Sequence, residues 1–379
     1  MKKILLGTTG LVAVAMLATA ASAETPKVTL GGFSDFQAGW TDDDFEADTR
    51  STGFRNDNEI TVKVDGKTDG GLGYGAQIDL EADSSLDADS QGLNASRTFT
   101  YLDSKFGRVE LGGNKSVAST MRIDASTVAA ATGGINGAWR YFVNSGNTAN
   151  FISTSKLPSE HGNTTAFGDE TTYNATKVSY YTPKFSGLQA GVSYTPQIDD
   201  RGQLLGRSDT SGVADVLDFG LGYEGTFSGI KLAASGTYEF GTGQTGTDTS
   251  ILPGAPGFGV SGAGSDNFNA WNLGALVGYK GFSLAGSYGD WNRSGVSGVD
   301  GDYWTLGGAY AAGPVAVSAT YLDSNLGGND FQNLVLGAEY KLAAGLTPYA
   351  EVSFYDFDAT GAADDNDGTT VILGTQVAF

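Results

Sequence analysis

The sequence predicts an all-β protein, a transmembrane antiparallel up-and-down β-barrel of about 16 strands with a long third loop folded into the lumen. Three observations carry this. Short segments alternate apolar and polar residues along nearly the whole chain, the period-two pattern of strands with one apolar and one wet face. Every second connection is a tight turn, and the intervening ones are longer and polar, which is the layout of a membrane barrel. Glycine is 57 of 379 residues, Tyr and Phe number 17 and 20, Pro only 8, and cysteine is absent. That composition fits neither a Pro/Gly linker nor a disordered acidic chain.

The chain starts with a targeting pattern. Lys2 and Lys3 precede an apolar stretch densest from Leu11 to Ala18, and Ala21-Ser22-Ala23 is an A-x-A cleavage site. Residues 1–23 therefore read as a cleaved signal peptide and residues 24–379 as one barrel domain. The apolar stretch is too short to span a bilayer, and no later segment approaches the ~20 apolar residues of a membrane helix. The formal charge of −21 speaks against nucleic acid, whose phosphates need a basic face. No Cys and a single His remove the usual transition-metal sites.

The first segment, 27–41, places Val28, Leu30, Ser34, Phe36 and Trp40 on one face and Asp35 and Gln37 on the other. Ile60, Val62 and Val64 then alternate with Glu59, Thr61 and Lys63, and Tyr74, Ala76, Ile78 and Leu80 with Gln77, Asp79 and Glu81. Segments 94–103 and 108–114 flank a turn at Ser104-Lys105-Phe106-Gly107. Similar pairs follow at 177–183 and 188–196, 215–225 and 230–240, 271–280 and 282–291, 303–312 and 314–323, and 331–342 and 347–357. The last segment is 369–379. An even count puts both termini on the short-turn side. Aromatics gather at strand ends, among them Trp40, Tyr74, Tyr101, Tyr194, Trp271, Tyr288, Trp304 and Tyr340, where amphipathic rings suit the two membrane interfaces.

The exception to the pattern is 115–173, almost sixty residues without a strand of their own. A compact protein rarely keeps such a loop without a use for it. Here the chain resembles the general porins of Gram-negative bacteria, the trimeric sixteen-stranded kind. The likeness lies in the stretch Ser96 through Gly112 around its Phe106-Gly107 turn, in Val178-Ser179-Tyr180-Tyr181-Thr182-Pro183 before Phe185-Ser186-Gly187, and in the last strand ending on Phe379. The resemblance implies that 115–173, the third long loop, folds inward as a constriction. It also implies a homotrimer, and a terminal Phe379 read by the outer-membrane assembly machinery. One departure is the absence of a Pro-Glu-Phe-Gly tip; the nearest feature is Gly133-Gly134-Ile135-Asn136-Gly137-Ala138-Trp139-Arg140.

In a pore, fixed charge and radius decide what passes. The loop carries Lys115, Arg122, Arg140 and Lys156 against Asp124, Glu160, Asp169 and Glu170, so it is balanced. The resemblance sets acidic loop groups against a basic wall, for which Lys63 and Arg108 are the candidates. Arg97 shares parity with Phe99 and Tyr101, which places it outward if those rings face lipid. Inward acids are Asp35, Glu59, Asp79, Glu81 and Glu110, and their excess leans toward weak cation preference. His161, the only histidine, sits in a polar loop without a nucleophile–base set around it, so no enzymatic activity and no cofactor are expected. Acidic clusters at Asp42-Asp43-Asp44 and at Asp364, Asp365 and Asp367 are weak Ca²⁺ candidates, and neither completes an EF-hand. A milder role is divalent bridging to lipopolysaccharide phosphates beside the membrane lipid.

The expected function is passive diffusion of small hydrophilic solutes and ions across the outer membrane. A substrate-selective channel is the alternative, and it would show a ladder of inward aromatics. Phe33, Tyr181, Trp291, Tyr349 and Tyr355 have that parity but are scattered along the chain. A structural or adhesive barrel with a closed lumen is the other alternative.

Overall fold

The computed structural model describes residues 25–44, 50–82, 94–143, 152–159, 174–198, 213–243, 267–294, 300–360 and 365–379. The expected signal peptide lies outside them, as do Asp364, Glu160, His161, Asp169 and Glu170.

Sixteen strands form one closed antiparallel barrel. They are β1 (Lys27–Asp43), β2 (Thr52–Lys67), β3 (Gly73–Glu81), β4 (Asn94–Ser104), β5 (Gly107–Gly113), β6 (Thr176–Tyr181), β7 (Leu188–Gln197) and β8 (Val213–Phe227). There follow β9 (Ile230–Gly243), β10 (Phe268–Tyr279), β11 (Phe282–Asn292), β12 (Gly301–Ala312), β13 (Val315–Leu326), β14 (Asn329–Tyr340), β15 (Leu346–Asp358) and β16 (Asn366–Ala378). Each strand pairs with its neighbour in sequence, and β1 closes on β16 with Phe33 opposite Ala378. Phe379 N–H donates to Gly32 O at 3.0 Å and Gly32 N–H returns to Phe379 O at 3.1 Å. Closure leaves no unpaired strand edge, which is what a bilayer demands of a sheet.

The turns explain the register. Ser186-Gly187, Ser228-Gly229 and Lys280-Gly281 each place two consecutive residues at positive φ, the two-residue hairpin whose twist matches the strands it joins. The loop end differs from expectation at one connection. β13 and β14 meet there in an equally tight hairpin, Gly327-Gly328, with φ of 65° and 89°. The long and short connections are therefore segregated less strictly than the sequence predicts.

Apolar side chains such as Leu30, Phe36, Leu273, Leu284 and Leu336 are exposed on the outer face, while Asp35, Asp79, Ser235, Thr305 and Glu351 are buried on the inner one. One predicted face is reversed. Phe99 and Tyr101 are buried in the lumen and Leu102 faces out, so Arg97, on their face, points inward. Tyr101 has the near-end position of an interface ring, but it lies against the Arg108 guanidinium, 3.9 Å from the ring centre. A bulge just before Arg97 leaves Ser96 without a partner in the ladder.

Inside the barrel is a second core. Between β5 and β6 the described part of the long loop holds one helix, α1 (Val117–Met121), and three 3-10 turns at Ala125–Val128, Gly134–Asn136 and Ala138–Tyr141. Trp139 and Ile135 from this loop are fully buried, packed with Trp291, Tyr303, Phe331 and Ile372 from the wall. Trp139 stacks on Phe331 and on Tyr355 at ring distances of 6.3 and 6.0 Å.

Candidate functional site

The loop's path follows from where its backbone polar groups find partners, since a buried amide without one costs free energy. Ser116 caps α1 by accepting from Ser119 N–H, and Val117 N–H donates to Ser193 Oγ on β7. Ile123 N–H then donates to Ser235 Oγ on β9, Ala125 N–H to Thr305 Oγ1 on β12, and Ala130 N–H to Ser318 Oγ on β13. Ala131 N–H reaches Glu339 on β14, and Thr132 gives both its N–H and its hydroxyl to Glu351 on β15. The far end is pinned by Thr41 Oγ1 on β1, which donates to Phe142 O at 2.8 Å, and by Tyr141, whose ring lies 4.0 Å from the Arg55 guanidinium. The chain then returns along the same wall. Ser324 Oγ donates to Ile152 O, Tyr303 OH to Ser155 O, Trp291 Nε1 to Lys156 O, and Ser159 N–H to Glu239. The described part of the expected constriction loop thus lies flat against the wall from β6 round to β1.

The wall from β2 to β5 carries charges of both signs. Arg55 pairs with Asp57 at 2.9 Å, Lys63 with Asp65 at 3.3 Å and Arg97 with Asp79 at 2.6 Å. Arg108 bridges Asp103 at 2.9 Å and Glu110 at 2.6 Å. Tyr101 joins this row, its ring between Arg108 and Lys63 and its hydroxyl bonded to Asp65. Glu59 accepts from Ser96 and Thr61, and Asp79 also from Thr61 and Gln77. Asp35 lies beside this row on β1, buried, with the Tyr349 hydroxyl 2.8 Å from both its oxygens.

The loop offers Arg122 and Asp124, a buried pair at 3.1 Å. Burial pushes the Asp124 carboxyl up, but the Arg122 guanidinium and the Ser126 and Ser155 hydroxyls outweigh it and hold the group below the usual carboxylate range. Arg140 is turned into the loop, where its guanidinium donates to Gly137 O and Asn136 O. A cavity of about 730 Å³ lies between the start of the loop and the β4–β9 wall. Arg97, Arg108, Lys115, Arg122 and Lys184 line it with Glu110 and Glu224.

Parity alone located the lumen charges Lys63, Asp79, Arg108 and Glu110, which the fold brings to one wall. It missed Arg55, Asp57 and Asp103, whose strands carry the same signal. It could not find Ser235, Thr305, Ser318 or Glu351, because an inward hydroxyl reads alike whether it meets water or a loop. Of the inward aromatics, Trp291, Tyr349 and Tyr355 pack in the core beneath the loop and form no ladder along the wall.

The acidic rim is divided. Asp43 accepts from Tyr355, Asp365 from Ala359 N–H, and the Asp44 carboxyl, hydrogen-bonded to Asp367, is held above its ordinary range by that shared contact. Among the described residues no group of three or more His, Cys, Asp or Glu has the geometry to hold a metal ion.

A family model described as Gram-negative porin matches residues 8–360. Among curated proteins, an uncharacterised protein of Rickettsia felis is 26% identical over 449 residues, and one of Rickettsia conorii 27% over 460, each covering 100% of both chains. Among solved structures, an anion-selective porin from Comamonas acidovorans superposes with a TM-score of 0.61 at 15% identity, over 94% of this chain and 100% of that one. A mutant of the Rh. blastica porin gives 0.58 at 17% identity, over 93% and 100%. An outer-membrane protein of Vibrio cholerae in trimer form gives 0.60 at 12% identity, over 94% and 100%.

Proposed function

Because the chain belongs to the Gram-negative porin family and is an outer-membrane diffusion channel, we propose that it passes small hydrophilic solutes and ions passively through one sector of its lumen. The observation that carries this is the contrast between the two walls. From β6 round to β1 the loop covers the wall with an apolar core, whereas β2 to β5 presents paired charges to the remaining space. Fixed charges keep that sector wet and let ions exchange partners along it.

Charge preference is weak. The acid excess of the chain leans it toward cations, and the pairing of Asp79 and Glu110 with arginines reduces that lean. A second reading, weak anion preference, is favoured by the five cations and two carboxylates of the cavity beside α1. The Comamonas protein, with the same fold, is described as anion-selective.

The export route is a cleaved signal peptide, with Phe379 as the signal for barrel assembly. The working form is a homotrimer. Ser34, Asn58, Thr98 and Thr100 form a polar patch on the outer face of β1 to β4, with Ser34 donating to Asn58 at 2.6 Å. On β10 and β14 the corresponding outer positions are Leu273, Val277, Leu334 and Leu336. Polar groups facing hydrocarbon are costly, so a second copy covers the patch. Divalent cations bridge the acidic rim to lipopolysaccharide phosphates; chelation then loosens bound lipopolysaccharide, and no effect of a chelator would count against it.

Planar-bilayer conductance of the refolded chain under a salt gradient tests the reading. Stepwise channels with a small reversal potential are expected, its sign deciding between the two preferences. No conductance from well-folded protein would overturn the channel.

A further inference from the structure

We propose that three couples of a wall hydroxyl and a wall glycine are the seats that fix how far the long loop stands off the wall, and that they thereby set the bore of the channel. The inference rests on the channel reading above.

The three seats share one plan. At Ile123 the N–H donates to Ser235 Oγ at 3.0 Å, while the carbonyl lies so close over Gly274 that any Cβ there would overlap it. Ser235 and Gly274 are opposite each other on β9 and β10. At Ala125 the N–H donates to Thr305 Oγ1 at 3.1 Å, and a Cβ on Gly307, two residues along β12, would lie 2.7 Å from the carbonyl oxygen. At Ala130 the N–H donates to Ser318 Oγ at 2.8 Å, and a Cβ on Gly337 would lie 2.8 Å from the carbonyl oxygen. Ser318 and Gly337 again face each other, on β13 and β14. Each seat holds one loop peptide by its amide and lets its carbonyl sink where a side chain would stand.

These glycines do not serve the strands. None of the three is among the residues at positive φ, so the backbone would accept alanine or valine. Glycine inside an element costs about 0.5–1 kcal/mol relative to alanine, and strands prefer β-branched residues. The neighbouring Gly308 makes the contrast. It points to the outer face, and a Cβ there would meet nothing nearer than Leu284 Cδ1 at 4.0 Å. What Gly274, Gly307 and Gly337 have in common is the loop carbonyl above them.

The consequence for permeation is geometric. At Gly307 an added methyl must move the loop by about 0.7 Å to restore ordinary contact at 3.4 Å. The outer wall is held by its ladder, so the loop is the part that gives. It moves toward the charged β2–β5 wall, across the space that solutes use. Side-chain size at three wall positions that touch no solute thus becomes a determinant of conductance.

Single-channel recordings on the full chain test this with Gly307→Ala, Gly274→Ala, Gly274→Val and the control Gly308→Ala, folding being checked by heat-modifiable gel mobility. The expected result is a loss of unit conductance at Gly307 and Gly274, larger for valine than for alanine, with Gly308→Ala unchanged. Folded Gly274→Ala and Gly307→Ala channels that conduct like wild type overturn the proposal. Should the glycine variants fail to fold, Ser235→Ala and Ser318→Ala, which add no atoms, provide the second measurement. Loss of the amide acceptors raises open-channel current noise if the seats hold the loop, and unchanged noise overturns it. A silent wild-type chain would instead sink the channel reading, so the two failures are distinguishable.

Discussion

Arg97 and Asp79 meet at 2.6 Å with the carboxylate side chain fully buried, so neither group is a passive member of the lumen surface. Removing one partner leaves a buried charge uncompensated, at a cost of about 3–5 kcal/mol. Arg97→Ala is therefore expected to lower barrel stability in urea and to move the reversal potential toward cations, because one positive charge leaves the wall. A shift toward anions would contradict this placement. Asp124 makes the matching prediction within the loop. Its folded-state pKa lies below the unfolded value of about 3.9. Its contribution is then present above that value and lost as pH falls through the depressed one. Acid unfolding of wild type should steepen only at strongly acid pH, and Asp124→Ala should lose about 3 kcal/mol near neutrality, measured by urea titration at several pH values. At this scale the sequence was legible in parity and misleading in chemistry. Tyr101 reads as an interface ring because it ends a strand, yet it supports Arg108 inside the lumen, and that one misreading carried Arg97 outward with it.

The long loop behaves as a packed element, and the reason is Trp139. Its ring is fully buried between Phe331 and Tyr355, and its Nε1 donates to Gly134 O at 3.0 Å. Trp139→Ala should cost about 3–5 kcal/mol and loosen the loop against β14 and β15. Protease cutting within the loop of the folded barrel is the readout, and an unchanged cutting rate would show that the ring is not the anchor. Deleting residues 127–150 should raise unit conductance, since it removes the described stretch 127–143 that rests on β13 to β15 and reaches β1. The same deletion takes Trp139 off Phe331 and Tyr355 and leaves those rings facing the lumen, so the enlarged channel should also unfold at lower urea. Unchanged conductance would mean that the segment does not obstruct the path. The stretch Gly133 through Arg140, found by sequence only as the nearest substitute for a missing tip, is the part that supplies this anchor.

For the whole molecule, closure and assembly are separate problems. Hydrogen bonds between β1 and β16 close the barrel, and among the apolar outward positions such as Leu30, Leu273 and Leu336 lies the polar patch around Ser34 and Asn58. Ser34→Trp offers lipid nothing objectionable but obstructs a packed interface. It should convert oligomers to monomers in sedimentation, and unchanged sedimentation would place the patch in lipid. The strand succession, the faces of most strands and the position of the third loop were determined by sequence alone. Period-two alternation and turn chemistry are local, and a bilayer imposes a single rule on every outward position. Only the tertiary structure decided which inward residues meet water and which meet the loop. Those partners lie far apart in the chain, 101 residues for Thr41 with Phe142 and 219 for Thr132 with Glu351. No local pattern distinguishes a serine that faces the pore from one that holds a loop amide, so the seats at Ser235, Thr305 and Ser318 exist only once the barrel has closed around them.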